Sequence, residues 1–324
     1  MFEQIIEPER TIEINLLSSL KYHQPKKYQK LFVTLIGTGG TGSYVARDLL
    51  RCISNLKTDL GIVPSVVFID PDKVEPKNLV RQNFIPSDVG KYKADVLASR
   101  YSSAFGVKTY AINKKFDFTT FIALREELTK DERFVAYSKD LTNLFISCTD
   151  NNQSRRDIYD ALLNKNNQYS ITQYPTYWID SGNEKKSGQV IAGFLPPLSW
   201  DGVPISLLTK VYPEMNMLNC FMPLSPIAYP DILNKEKDSK EEVSCAEAAI
   251  EQPQNMFINI TAATHILNFV RQIVYGQKMF SYGIEFNLNG RTDLLRNTQE
   301  TAKQIRTFSD HWEKRKCHLP LTTT

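Results

Sequence analysis

The segment Gly37-Thr38-Gly39-Gly40-Thr41-Gly42 constrains this 324-residue chain more than any other. It follows the apolar-rich run Leu31-Phe32-Val33-Thr34-Leu35-Ile36 and precedes Val45, Leu49, Leu50 and Ile53 at helical spacing. The run reads as a parallel strand buried on both faces, the glycines as a tight turn, and the spaced residues as a helix. Val66-Val67-Phe68-Ile69, ending abruptly at Asp70-Pro71-Asp72, completes a strand, turn, helix, strand unit. Parallel neighbours joined by a crossover helix predict an α/β fold, a Rossmann-like doubly wound sheet.

The alternation continues with a helix from about Lys93 to Ala104, a strand near Thr109 to Ile112, and Leu144-Phe145-Ile146-Ser147-Cys148 running into Thr149-Asp150. Trp178 to Asn183 and Gly188 to Phe194 flank the polar turn Glu184-Lys185-Lys186-Ser187, so the mostly parallel sheet gains an antiparallel extension. Asn255 stands where it would cap a helix whose Met256, Ile260, Ala263, Leu267, Val270 and Val274 form an apolar stripe for the sheet, with Gly276 as its stop. The chain divides into an N-terminal extension (1–30), a main domain (31–290) and a polar tail (291–324) with a further helix from about Thr298. Within the main domain, Pro204, Pro213, Pro223, Pro226, Pro230 and the charged run from Lys235 to Glu242 mark an irregular crossover over about 196–243.

Composition narrows the function classes. With 39 Lys+Arg against 36 Asp+Glu the net charge is +3, too slight for the basic face of a non-specific nucleic-acid binder. No stretch approaches the ~20 apolar residues of a membrane span. Glu3 and Glu7 stand where a signal peptide carries basic residues. No nucleic acid, no membrane and a cytoplasmic location are the expectations. Cys52, Cys148, Cys220, Cys245 and Cys317 contain no C-x-x-C pair and are odd in number, which predicts reduced thiols. Cys52 and Cys148 read as core. His23, His265, His311 and His318 offer no i, i+4 zinc pair, and His265 reads as a hydrogen-bonded structural imidazole.

The turn from strand to helix aims main-chain N–H groups and the positive end of the helix at one place, and phosphate is the natural guest. The alternative is that the glycines only allow close packing. Asp70 ends the second strand, where a carboxylate can accept ribose hydroxyls, and this suits nucleotides and dinucleotides equally. The cations downstream of Asp70 separate the two. Arg81 and Lys93 can reach a triphosphate, offset its charge and assist attack of an acyl carboxylate at the α-phosphorus. Taken singly, either is an ordinary solvated charge. A nicotinamide oxidoreductase rests only on Gly37, Gly39, Gly42 and Asp70, and Asp70 comes 28 residues after Gly42 (70 − 42) against the ~20 of that fingerprint. A non-catalytic scaffold that binds nucleotide and a carrier protein is the remaining alternative.

Asp70 with Asp72, Asn78, Arg81-Gln82, Gly90 followed by Lys93, and Cys148-Thr149-Asp150-Asn151 followed by Arg155 together resemble the ThiF/MoeB family of ubiquitin-activating-type adenylyltransferases. The resemblance implies ATP and Mg2+ as cofactors, with Gly37, Gly39, Gly40, Gly42, Asp70 and Asp72 among the nucleotide-binding residues and Asp70 holding the ribose. It further implies Asn78, Arg81, Gln82 and Lys93 on the phosphates and Asp150 on magnesium. From the residues alone, Asp150 ends an apolar strand, where a hard cation would satisfy a buried carboxylate; capping the next helix is the alternative.

Tyr177 to Asn183, Ser244-Cys245-Ala246-Glu247-Ala248-Ala249 and Phe257-Ile258-Asn259 are similar to the ThiF-like proteins of PRTRC systems, gene clusters that also encode a ubiquitin-like protein and a JAB-type peptidase. The implied partner is a ubiquitin-like (β-grasp) carrier encoded nearby, and the implied assembly a homodimer in which an N-terminal arginine, here Arg10 by location, reaches the neighbour's triphosphate. Many members carry two C-x-x-C zinc pairs. Met217 replaces the first Cys of one pair, with Cys220 second, so a structural zinc is not supported. Ser244 and Glu247 have capping-box spacing, which puts Cys245 in the first turn of a helix. Helix starts favour thiolate, whereas Glu241, Glu242 and Glu247 oppose it. Cys245 is thus an acyl acceptor by resemblance, or a small buried hydrophobe. Asp180 and Asn183 are placed to line a channel for an incoming peptide tail.

Overall fold

Strands covered by helices on both faces must be apolar on both faces. In the computed structural model, which describes residues 14–15, 29–117, 119–121, 123–124, 141–163, 174–184, 186–195, 199–200, 203–204, 222–234 and 256–296, they are. The strands are β1 (Gln29–Ile36), β2 (Ile62–Ile69), β3 (Thr109–Ile112), β4 (Leu141–Ser147), β5 (Thr176–Asn183), β6 (Ser187–Leu195), β7 (Ser281–Asn287) and β8 (Thr292–Arg296). They form one eight-stranded sheet in the order β8-β7-β6-β5-β4-β1-β2-β3. The run from β3 to β5 is parallel and the run from β5 to β8 antiparallel. The fold is the expected α/β, mostly parallel sheet with its antiparallel extension.

The main helices are α1 (Gly40–Ile53), α2 (Lys93–Phe105), α3 (Asn152–Leu163) and α4 (Met256–Val274). Alternate residues of each central strand feed two separate cores, as a period of two requires. Val33, Leu35, Val66, Phe68, Leu144 and Ile146 meet Val45 and Leu49 of α1, Leu97 of α2 and Ile266 of α4 on one face. Phe32, Val67, Phe145 and Trp178 meet Ile158 and Leu162 of α3 on the other. Each fully buried large apolar side chain contributes roughly 1.5–3 kcal/mol. A one-residue register slip would exchange the two sets.

The long helix α4 lies where its periodicity places it, but its buried face is rotated. Ile258, Ala262, Ile266, Phe269 and Ile273 are buried alongside Ala263 and Val270, whereas Ile260 is 36% exposed. The physical reason is that α4 packs on α1 as well as on β5 and β6, so its apolar side has two surfaces to satisfy. Gly276, at φ +58°, then turns the chain out of the helix. Ile14–Asn15 pairs antiparallel with Lys278–Met279 just beyond it. No described helix is long and apolar enough to cross a membrane.

Candidate nucleotide site

Strand order reverses between β1 and β4: the chain leaves β1 toward β2 on one side, and leaves β4 toward β5 on the other. The crevice beyond the carboxyl ends of such a pair is the binding position of open α/β sheets. Two turns border it, one after β1 and one after β4.

The first turn works because side chains are missing. Gly37 adopts φ +82°, and a Cβ there would stand 2.7 Å from the Cys148 carbonyl oxygen. A Cβ on Gly42 would fall 1.9 Å from the Gly37 carbonyl oxygen, and one on Gly40 would meet Asn259 at 3.0 Å. No described side chain caps the start of α1, so its first N–H groups keep the orphan character that draws an anion. Beneath them lies a polar seam that sequence reasoning did not find. Asn183 Nδ2 donates to Thr41 Oγ1 (2.6 Å) and to Asn259 Oδ1 (3.2 Å), and Thr41 Oγ1 donates to Asn259 Oδ1 (3.3 Å). Asn259 is fully buried on α4 and meets residues far away in sequence. In the sequence Asn259 stands in the Phe257-Ile258-Asn259 segment that resembles the family, but nothing there points to its partners. Asn183 therefore lies under the glycine turn, in this seam.

Asp70 reaches back from the end of β2. Its Oδ2 accepts the Thr38 main-chain N–H (2.6 Å) and hydroxyl (3.0 Å), and its Oδ1 accepts the Asp72 N–H (2.9 Å). An ionised carboxylate has about four acceptor positions, so Oδ1 retains capacity for a further hydroxyl. The loop to α2 is then fixed at each end. Asn78, buried, accepts the Glu75 N–H on Oδ1 at 2.8 Å. Asn83 donates its N–H to Ser43 Oγ on α1 (2.9 Å) and Nδ2 to the Tyr101 hydroxyl (2.9 Å). Between these anchors Gln82 is buried beside Gly39, with its Oε1 lacking any partner among the described residues. Arg81 is half-buried, and its carbonyl accepts Asn259 Nδ2 at 3.5 Å. Lys93 is no solvated charge: its side chain is 7% exposed and pairs with Asp72 Oδ2 at 2.9 Å.

The second turn departs from expectation. Asp150 is exposed, so its supposed burial gives no reason for a cation, and Asn151 rather than Asp150 caps α3, its Oδ1 accepting the Ser154 N–H at 2.8 Å. Asp150 Oδ1 accepts Asn151 Nδ2 at 3.0 Å. Beside it the Thr149 hydroxyl is buried with no partner among the described residues. Asp180 does not line a channel: it is 3% exposed and ion-paired with Arg155, which is itself buried. Cys148 packs against the core, and burial, reinforced by the nearby Asp180 charge, pushes its thiol well up from the ordinary range. Burial likewise raises the Cys52 thiol. His265 packs its ring tilted against Phe286 (4.9 Å between centroids, 49° between planes) rather than forming a hydrogen bond with a described residue. Cys245, Met217, Cys220, Cys317 and Arg10 lie outside the described residues, as do Asn255, most of 196–243 and the tail beyond 296.

Among the described residues no group of three or more His, Cys, Asp or Glu side chains could hold a metal ion. A dedicated protein cage for magnesium does not fit here. One exposed carboxylate does fit the way magnesium is usually held, by one or two carboxylates and by substrate phosphates.

Two Drosophila proteins, the ubiquitin-like modifier-activating enzyme 5 of D. mojavensis and that of D. virilis, are each 29% identical over 160 residues, 48% of this chain and 35% of theirs. The match thus spans about a third of those relatives. Solved structures of E. coli MccB with ATP (TM-score 0.48, 15% identity, 84% of this chain and 65% of that one) and of PaaA (0.47, 16%, 83% and 64%) are also similar. The ThiF family model matches residues 13–307, nearly the whole length, and the chain belongs to the ThiF family.

Proposed function

We propose that this protein is an adenylyltransferase that activates the C-terminal carboxylate of a ubiquitin-like (β-grasp) carrier with ATP and Mg2+. The observation that carries this reading is the pairing of an uncapped α1 behind the glycine turn with a buried lysine, Lys93, at the same crevice. Gln82 Oε1 beside Gly39, without a partner among the described residues, and the remaining capacity on Asp70 add polar groups that suit a nucleotide. The 29%-identical stretch shared with ubiquitin-like modifier-activating enzymes supports the choice of carrier.

In this reading the phosphates lie over Gly37, Gly39, Gly40 and Gly42, and the ribose beside Asp70. Lys93 exchanges part of its contact with Asp72 for phosphate, and Arg81 adds a second cation. Asn78, already holding Glu75, orders the loop that presents Arg81 and Gln82. Asp150 would hold magnesium, which would supply charge neutralisation at the phosphates. A carrier carboxylate oxygen attacks the α-phosphorus, the bond to the β-phosphate bridge breaks, and pyrophosphate leaves. Positioning and charge neutralisation suffice for this step without a protein nucleophile. In a second step the Cys245 thiolate attacks the acyl carbon, AMP departs, and a thioester remains. The likeness to PRTRC-type ThiF proteins extends the proposal to a carrier encoded nearby and to a homodimer.

Carrier-dependent exchange of labelled pyrophosphate into ATP tests the first step. Exchange should appear with the carrier and fall ~10²–10³-fold in Lys93→Met. It should persist in Cys245→Ala, while the carrier adduct seen by intact mass under non-reducing conditions disappears. Absence of exchange with a carrier that binds the chain overturns the adenylation reading.

A further inference from the structure

The buried pair Arg155–Asp180 has no place in the chemistry above, yet it ties together the elements around the second turn. Asp180 on β5 accepts Arg155 Nε at 3.1 and 3.3 Å, Ser147 Oγ at the end of β4, and Ser225 Oγ at 2.6 Å. Ser147 Oγ in turn accepts the Trp178 indole N–H at 2.7 Å. Arg155 on α3 donates Nη2 to two main-chain carbonyls, Thr149 (2.9 Å) and Ser181 (3.0 Å), and Nη1 to Asn152 Oδ1 (3.2 Å). Both side chains are buried, 9% and 3% exposed. Two charges withdrawn from water lose hydration that an apolar pair would never need, so such a pair is not explained by stability alone.

What the pair does fix is one peptide. The Thr149 carbonyl immediately precedes Asp150, and the same turn is pinned from the other side by the Cys148 N–H, which donates to the Ile36 carbonyl at 2.8 Å. There the Cys148 carbonyl lies against Gly37, so close that a Cβ would not fit. The turn is held between the glycine loop and the guanidinium fork. A fork of fixed donors can hold two carbonyls and a carboxylate together; an ammonium on a flexible stem cannot hold them in the same way.

We infer that Arg155, oriented by Asp180, is a positioning residue that fixes the Thr149 carbonyl and thereby presents Asp150 at the carboxyl ends of β1 and β4. Its link to magnesium rests on the proposed function; its grip on the turn does not. Amide hydrogen exchange of the free protein isolates that grip. In Arg155→Lys the amides of residues 148–151 should exchange at least tenfold faster than in wild type, with those of Gly37 to Gly42 unchanged. Equal exchange in 148–151, or an equal rise in both turns, overturns the positioning role. Should Arg155→Lys not fold, Asp180→Asn keeps the shape of β5 and serves the same comparison.

The link to Asp150 is read by electron paramagnetic resonance of Mn2+ in the presence of saturating ATP. Arg155→Lys should weaken Mn2+ binding at least tenfold while ATP binding in the absence of divalent ions stays within twofold. In an Asp150→Ala background the same substitution should have no further effect, the non-additivity expected when one residue acts through another. A loss of metal-free ATP binding as large as the loss of Mn2+ binding, or an undiminished effect in Asp150→Ala, contradicts it. If the wild type binds no ATP, the nucleotide reading fails, and hydrogen exchange still decides whether Arg155 holds the turn.

Discussion

The two turns that border the crevice are held in opposite ways. The turn after β1 is shaped by atoms that are absent: its glycines let backbone approach backbone, and α1 begins with no side-chain cap. The turn after β4 is shaped by atoms that are present, a buried guanidinium and carboxylate beneath it and an Asn151 cap that already satisfies the start of α3. One helix start is therefore open to an anion, while the other is closed by its own chain. Under the proposed function the first turn would take phosphate and the second would present a carboxylate.

Four perturbations break or sharpen this contrast. The largest loss of stability should come from Asp180→Ala, which strands the buried Arg155 charge; about 3–5 kcal/mol is expected in urea unfolding. Gly42→Ala ranks second, since its Cβ would collide with the Gly37 carbonyl oxygen at 1.9 Å. About 1–3 kcal/mol of strain is expected in thermal melts, together with loss of ATP binding, because the cradle must open to admit the methyl group. Asn151→Ala removes only the cap of α3 and should cost ~1 kcal/mol, with ATP binding in the absence of divalent ions intact.

The smallest effect lies away from both turns, on α4. Burial lowers the His265 pKa from its ordinary 6.5, so the folded chain resists a proton that the unfolded chain accepts. Stability should be unaffected above pH 6.5 and fall as the pH drops below it toward the folded pKa. His265→Gln should flatten that part of a stability-against-pH profile. An unchanged slope would place the titration elsewhere.

How much of the molecule is legible in the sequence depends on the range of each interaction. β1, the glycine turn and α1 are contiguous, so their period and their missing side chains can be read directly, and the same holds for β5 and β6 across their short polar turn. The face of α4 is misread from sequence because Met256, Ile260 and Leu267 are as apolar as Ile258, Ile266 and Phe269, and only packing against α1 selects between them. Asp150 stands at the end of an apolar strand, and nothing local reveals that the turn carries it out to solvent. The Asn183, Thr41 and Asn259 seam and the Asp180 partners cannot be seen at all, for each joins residues brought together only by the completed sheet. Arg155 stands out in the sequence as part of a motif. Its partner passes for a channel residue because an acid near a turn ordinarily faces water.

Calorimetric titration of the purified chain with ATP and magnesium, and separately with NAD, bears most directly on the nucleotide cradle. Saturable binding of ATP that Gly42→Ala abolishes, with no heat from NAD, is the predicted result. Binding of NAD in preference to ATP, or ATP binding undisturbed by Gly42→Ala, would contradict it.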